Sequence, residues 1–148
     1  MKPMRHSLLA GLAMVLVGCA TAPATATFKG MNIPTVSAVT MNCTTPYPLT
    51  QNCSPTGGAS LRVGIKGQIA RVAATADGRT VVVMTDAAIP TQAKSEEAAE
   101  AVGGVVEATG ARLLKMEALA IIGGAVLGYV LHFDRDVYTA LRRNAVPS

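Results

Sequence analysis

The chain has 148 residues and a formal charge of +4, from 13 basic and 9 acidic side chains, with half of its residues hydrophobic and no tryptophan. That length holds one modest domain around a single core. No dense Lys/Arg cluster with interleaved aromatics is present, so the usual nucleic-acid surface is excluded, and with three tyrosines and two phenylalanines the core must come from Val, Ile, Leu, Met and Ala.

The N-terminus is basic, with Lys2 and Arg5, and leads into an apolar run from Leu8 to Gly18. A basic start, a short apolar run and then small residues make a secretory signal peptide. The run is too short to cross a bilayer as a helix, which needs roughly 20 residues. It ends in Leu16-Val17-Gly18-Cys19. This stretch resembles the lipobox of bacterial lipoproteins, and the resemblance covers only residues 1–20. It implies cleavage after residue 18, with Cys19 as the first mature residue, carrying a diacylglycerol thioether and an acylated amine. Two or more acyl chains make anchoring stable. Position 20 is Ala rather than Asp. In the family this implies sorting to the outer membrane, facing the periplasm, where the host has two membranes. Apart from that covalent lipid no cofactor is implied.

Removal of residues 1–18 takes away Lys2 and Arg5, leaving 11 basic against 9 acidic residues, a charge of +2. Two cysteines then remain, Cys43 and Cys53. In an oxidising compartment such a pair forms a disulfide, worth roughly 3 kcal/mol or somewhat less for a loop of this size. Metal binding lacks ligands, since the mature chain has a single histidine, His132.

Residues 19–27 are small and uncharged and are expected to form a lipid-anchored tether, followed by one small domain over 28–148. Val36 to Met41 is read as extended, though its alternation is imperfect. Ser54-Pro55-Thr56-Gly57-Gly58 marks a turn. Leu61, Val63 and Ile65 alternate with Arg62, Gly64 and Lys66, the period of a half-buried strand. Ile69–Thr75 and Thr80–Thr85 flank Asp77-Gly78, a hairpin signal. Val81-Val82-Val83-Met84 is apolar on both faces and reads as the best-covered strand. Residues 60–85 therefore predict a small antiparallel sheet of two or three strands.

The remainder reads as helical. Ser95 is the expected cap of a helix over about 93–131, with Glu96, Glu97 and Glu100 near its positive end. Gly103, Gly104 and Gly110 weaken it. Ala118 to Leu131 is fourteen residues without a charge. A helix of that length spans roughly 21 Å, less than the hydrocarbon core. Gly124 and Gly128 sit four apart, the small-residue spacing of packed helices. Three readings stand: a buried core helix, a helix docking in an oligomer interface, and a membrane-inserted helix over 113–133. A short helix over 135–143 is expected, with Asp134 or Asp136 as its cap rather than as a cation site.

No catalytic set emerges. There is no nucleophile elbow and no phosphate loop, and a relay through His132 would have to draw on residues distant in sequence. The expectation is an α+β lipoprotein, not an enzyme. It would serve as a structural or accessory subunit of an envelope assembly of secretion, conjugation or pilus type, with envelope proteins or further copies of itself as partners. The other two readings are a pore-lining oligomer through 113–133, and a small envelope binding protein or inhibitor. No small-molecule substrate is evident.

Overall fold

The computed structural model describes residues 24–37, 60–87, 89–121 and 124–147. Cys19, Cys43 and Cys53 lie outside them, as do the lipobox and the loop expected to be bridged. Within the described residues the chain runs β1 (Thr25–Phe28), β2 (Met31–Ser37), β3 (Leu61–Ile65), β4 (Gln68–Ala74), β5 (Thr80–Thr85), α1 (Gln92–Glu107), β6 (Leu113–Ala120), β7 (Val126–Phe133) and α2 (Tyr138–Arg142). The strands form one seven-stranded mixed sheet in the order β1-β2-β6-β7-β5-β4-β3. Only β2 and β6 pair in parallel.

The fold is therefore mainly β, and the expected α+β architecture with long C-terminal helices is overturned. The helix expected over 93–131 stops at Glu107, where Gly110 takes a φ of +98° and turns the chain away. Leu113–Ala120 and Val126–Phe133 are paired strands, so the helix on which both the membrane-inserted and the interface readings depended is absent from the described residues. The hairpin turns through Ile121 and Gly124, where the Gly124 N–H donates to the Ile121 carbonyl at 2.9 Å. Central strands covered on both faces read as continuous apolar runs, which is also how a buried helix reads. The helix expected over 135–143 is one short turn, Tyr138–Arg142. The expected tether is also shorter at its C-terminal end, because Thr25–Thr27 belong to β1.

Two hairpins share one device. Lys29-Gly30 joins β1 to β2 and Lys66-Gly67 joins β3 to β4, and all four residues have positive φ, between 50° and 81°. Two consecutive left-handed residues match the twist of the flanking strands, which is why glycine occupies the second position of each.

β5, α1, β6 and β7 form the centre. β5 and β6 point the same way with β7 antiparallel between them, and α1 returns the chain across one face of the sheet. Thr91 caps α1, its Oγ1 accepting from the Lys94 N–H at 3.2 Å. Ala98, Ala99, Val102 and Val106 form the buried stripe. They pack on Val63, Val72, Val81, Val83, Tyr129, Leu131 and Phe133. The alternate positions Val82, Met84, Leu119 and Val130 form a smaller buried cluster on the opposite face.

The β3 edge is closed, and one carbonyl of the β1 edge is engaged. Along β3 the C-terminal tail adds a bridge, with the Gly64 N–H donating to the Asn144 carbonyl at 2.9 Å and the Val146 N–H to the Arg62 carbonyl at 2.9 Å. On β1 the Thr27 carbonyl accepts from the Tyr129 hydroxyl at 2.9 Å and from Gln92 Nε2 at 3.0 Å. Occupied edges do not template pairing with another chain.

Candidate functional site

Of the lipid, disulfide and helix-packing residues expected from sequence, the structure describes Gly124 and Gly128. Gly124 lies in the β6–β7 turn with a φ of +91°. Gly128 lies on β7 opposite Met84 on one side and Leu119 on the other. A Cβ there would run into the Val83 carbonyl oxygen and stand 2.8 Å from Met84 Cγ. The two glycines thus serve a turn and a close strand approach, and they do not form a helix-packing face.

The sheet brings together a polar set that the sequence scatters over 52 positions. Thr80 on β5, His132 on β7 and Glu117 on β6 stand side by side on three neighbouring strands. Thr80 Oγ1 is 3.1 Å from His132 Nδ1. His132 Nε2 is 2.6 Å from Glu117 Oε1, and Lys115 Nζ reaches Glu117 Oε2 at 3.5 Å. Hydroxyl, imidazole and carboxylate in a row form the chain that orients a general base. With Nε2–H donated to Glu117, Nδ1 accepts the Thr80 hydroxyl proton. Thr80 and His132 are register partners, so the set also works as a cross-strand ladder that fixes three strands relative to one another. No local motif marks it, because strand register decides the meeting.

A second charged group lies at the opposite corner. Asp86 follows β5 and sits between Arg62 on β3 and Arg71 on β4. Arg62 Nη2 donates to Asp86 Oδ2 at 3.1 Å. Arg71 Nε lies 2.8 Å from Asp86 Oδ1, an ion pair set off the hydrogen-bonding direction. Arg62 Nη1 also donates to the Pro147 carbonyl at 3.0 Å, tying the tail to this corner.

At the end of the sheet where α1 begins, a cleft of about 280 Å³ is lined by Gln68, Ile69, Thr85, Ala87, Lys94 and Glu97. Beside the first turns of α1, where Gln92 and the Tyr129 hydroxyl meet the Thr27 carbonyl, Phe28 packs on Tyr129 edge to face with ring centres 5.0 Å apart. Burial pushes the Tyr129 phenol up to about 12. Three carboxyls fall below their ordinary value of 3.8. The Thr75 hydroxyl holds Asp77 down, the Arg112 backbone N–H holds Asp134, and the Thr139 hydroxyl holds Asp136. Asp136 also accepts from the Tyr138 N–H at 2.9 Å, while the N-cap position of α2 is Val137 and not the expected Asp134 or Asp136.

Among the described residues no three His, Cys, Asp or Glu side chains gather closely enough to hold a metal ion. No described helix is long and apolar enough to cross a membrane. No protein-family model, curated protein or solved structure matches the chain.

Proposed function

We propose that this protein is a lipid-anchored accessory subunit of a bacterial cell-envelope assembly, of the secretion, conjugation or pilus type, acting by structure and not by catalysis. The observation that carries the reading is the Leu16-Val17-Gly18-Cys19 run standing six residues ahead of the first strand at Thr25. A cysteine bearing two or more acyl chains stays on the membrane. A domain held there meets other envelope proteins at high effective concentration, so weak contacts suffice for stable association. The covered β3 edge disfavours strand addition there, so partners are met elsewhere on the domain. The Cys43–Cys53 bridge belongs to the same exported reading.

The test is an intact mass of the protein recovered from membranes, followed by crosslinking in the envelope. The reading expects residues 19–148 plus diacylglycerol and acyl groups, a gain of two hydrogens on reduction, and specific crosslinks to envelope proteins. A lipid-free mass removes the anchor. A lipidated protein that stays monomeric and captures no envelope protein removes the accessory role.

A further inference from the structure

We propose that the connection between β2 and β3, which carries Cys43 and Cys53, packs across the face of the sheet opposite α1 and supplies a third layer of the domain. The inference stands without the lipid anchor. Strands β2, β6, β5 and β3 run in one direction, and β7 and β4 run against them. Two connections therefore join parallel strands of the one sheet. α1 carries the chain from β5 to β6, toward the β1 edge. Residues 38–60 carry it from β2 to β3, toward the opposite edge. Such crossovers are right-handed in about 98% of cases. Two crossovers of one hand that travel in opposite directions along a sheet lie on opposite faces. α1 covers the face of Val81, Val83, Tyr129 and Leu131, so residues 38–60 belong on the face of Val82, Met84, Leu119 and Val130.

That face is covered. Val82 and Leu119 are 0% exposed, and Met84 and Val130 are 2% exposed. Side chains on a bare sheet face stand partly in water, because strand neighbours shield only their flanks. Among the described residues no helix packs on this face. α1 and α2 both join the other cluster, through Val102, Val106 and Leu141. The connection has length to spare. β2 and β3 stand five strand spacings apart, about 24 Å, and the 23 residues between Ser37 and Leu61 reach about 75 Å when extended. Its chemistry also fits, since it holds Val39, Met41, Tyr47 and Leu49 and no charged residue. The face is apolar only at its centre. Beyond Val82 and Val130 come Thr80, His132 and Glu117, and beside Met84 come Arg71 and Asp86. An uncharged segment on the apolar centre leaves these polar groups at its margins, where His132 and Arg71 keep part of their surface in water. Cys43 and Cys53 then stand over the sheet, and a bridge between them fastens the cover. Partners of the domain meet its helical side or its rims, and not this face.

The test needs no variant. It is NMR on the full chain with isotope-labelled valine and leucine methyls. Nuclear Overhauser contacts are expected between residues 38–60 and the methyls of Val82, Leu119 and Val130. With a soluble gadolinium chelate added, these methyls should lose no more signal than those of Val102 and Val106 beneath α1, while Leu114, 60% exposed, loses most of its own. Contacts from residues 38–60 to Val102 or Val106 instead would put the connection on the side of α1 and overturn the proposal. Contacts to Val82 and Leu119 from residues 19–23, or only between differently labelled copies of the chain, would give the face another occupant and overturn it as well. Signal loss at Val82 and Leu119 as large as that at Leu114 would show a bare face, with the same consequence.

Discussion

At the scale of single residues, the close approach of β5 and β7 depends on Gly128. Its missing Cβ leaves room for the Val83 carbonyl and for Met84, both on the neighbouring strand. A backbone carbonyl in a central strand cannot swing aside as a side-chain tip can, so Gly128→Ala is expected to cost about 1–3 kcal/mol, the range for overpacking a filled core. Thermal or denaturant unfolding reads this directly. Titration gives a second prediction at this scale. Asp77, Asp134 and Asp136 all have folded values below 3.8. Depressed carboxyls stabilise the folded state above the unfolded value, and that stability is lost as pH falls through the folded values. Melting temperature should drop as pH falls below the ordinary carboxyl value of 3.8, and Asp136→Asn should make that drop shallower. Tyr129 works in the opposite direction. Its folded value, about 12, exceeds the ordinary 10, so its contribution is complete below pH 10 and is lost as pH rises from there toward 12. Absorbance titration of the phenols should show one late tyrosine, and Tyr129→Phe should remove it.

At the scale of elements, α1 is the clearest target for stabilisation. Gly103 and Gly104 sit mid-helix, and a Cβ on either meets nothing within 4 Å. Their cost is backbone entropy alone, so Gly103→Ala and Gly104→Ala should each add roughly 0.5–1 kcal/mol, visible as a higher melting temperature. The same helix shows how far the sequence could be read. Glu96 and Glu97 behind Ser95 pointed to a helix, and a helix is there. Its cap is Thr91, however, while Ser95 is buried with its hydroxyl donating to the Leu127 carbonyl at 3.3 Å. The cap lay one turn earlier, in a stretch with no apolar period to announce it. The strands of residues 60–85 were legible because alternation and Asp77-Gly78 are local signals. The β6–β7 hairpin was not. Leu113 to Ala120 is built from Leu, Lys, Met, Glu and Ala, all strong helix formers, and only sheet pairing on both flanks makes it a strand. The local clue was Gly124, whose positive φ a hairpin turn uses and whose presence a helix tolerates. His132 was legible as isolated, and its company of Thr80 and Glu117 was not, because register is a property of the assembled sheet.

At the scale of the whole molecule, the chain closes on itself through its tail, and this is where the sheet is most exposed to failure. β3 is an edge strand that would present a row of unpaired backbone groups. The tail covers it with two backbone hydrogen bonds, at Gly64 and Arg62. Val146 also packs against the backbone of Gly64, where a Cβ would stand 3.2 Å from its Cγ1. Arg62 adds a third tie by donating to the Pro147 carbonyl while it holds Asp86. The tail thus links the edge strand, the charged corner and α2 in one structure. Truncation after residue 143 removes all of these contacts without touching a core side chain. Each lost hydrogen bond is worth about 1 kcal/mol, so the shortened protein should still fold but with a stability lower by a few kcal/mol. The larger consequence is the opened edge, which should promote concentration-dependent association. Sedimentation velocity on the truncated and full-length proteins separates the two effects. A truncated chain that is less stable yet monomeric at all concentrations would show that the tail only adds contacts. One that associates, and that returns to monomer when Arg62→Pro blocks the edge, would show that the tail's main work is to keep this sheet from continuing into a second molecule. That role matters most for a domain crowded onto a membrane surface.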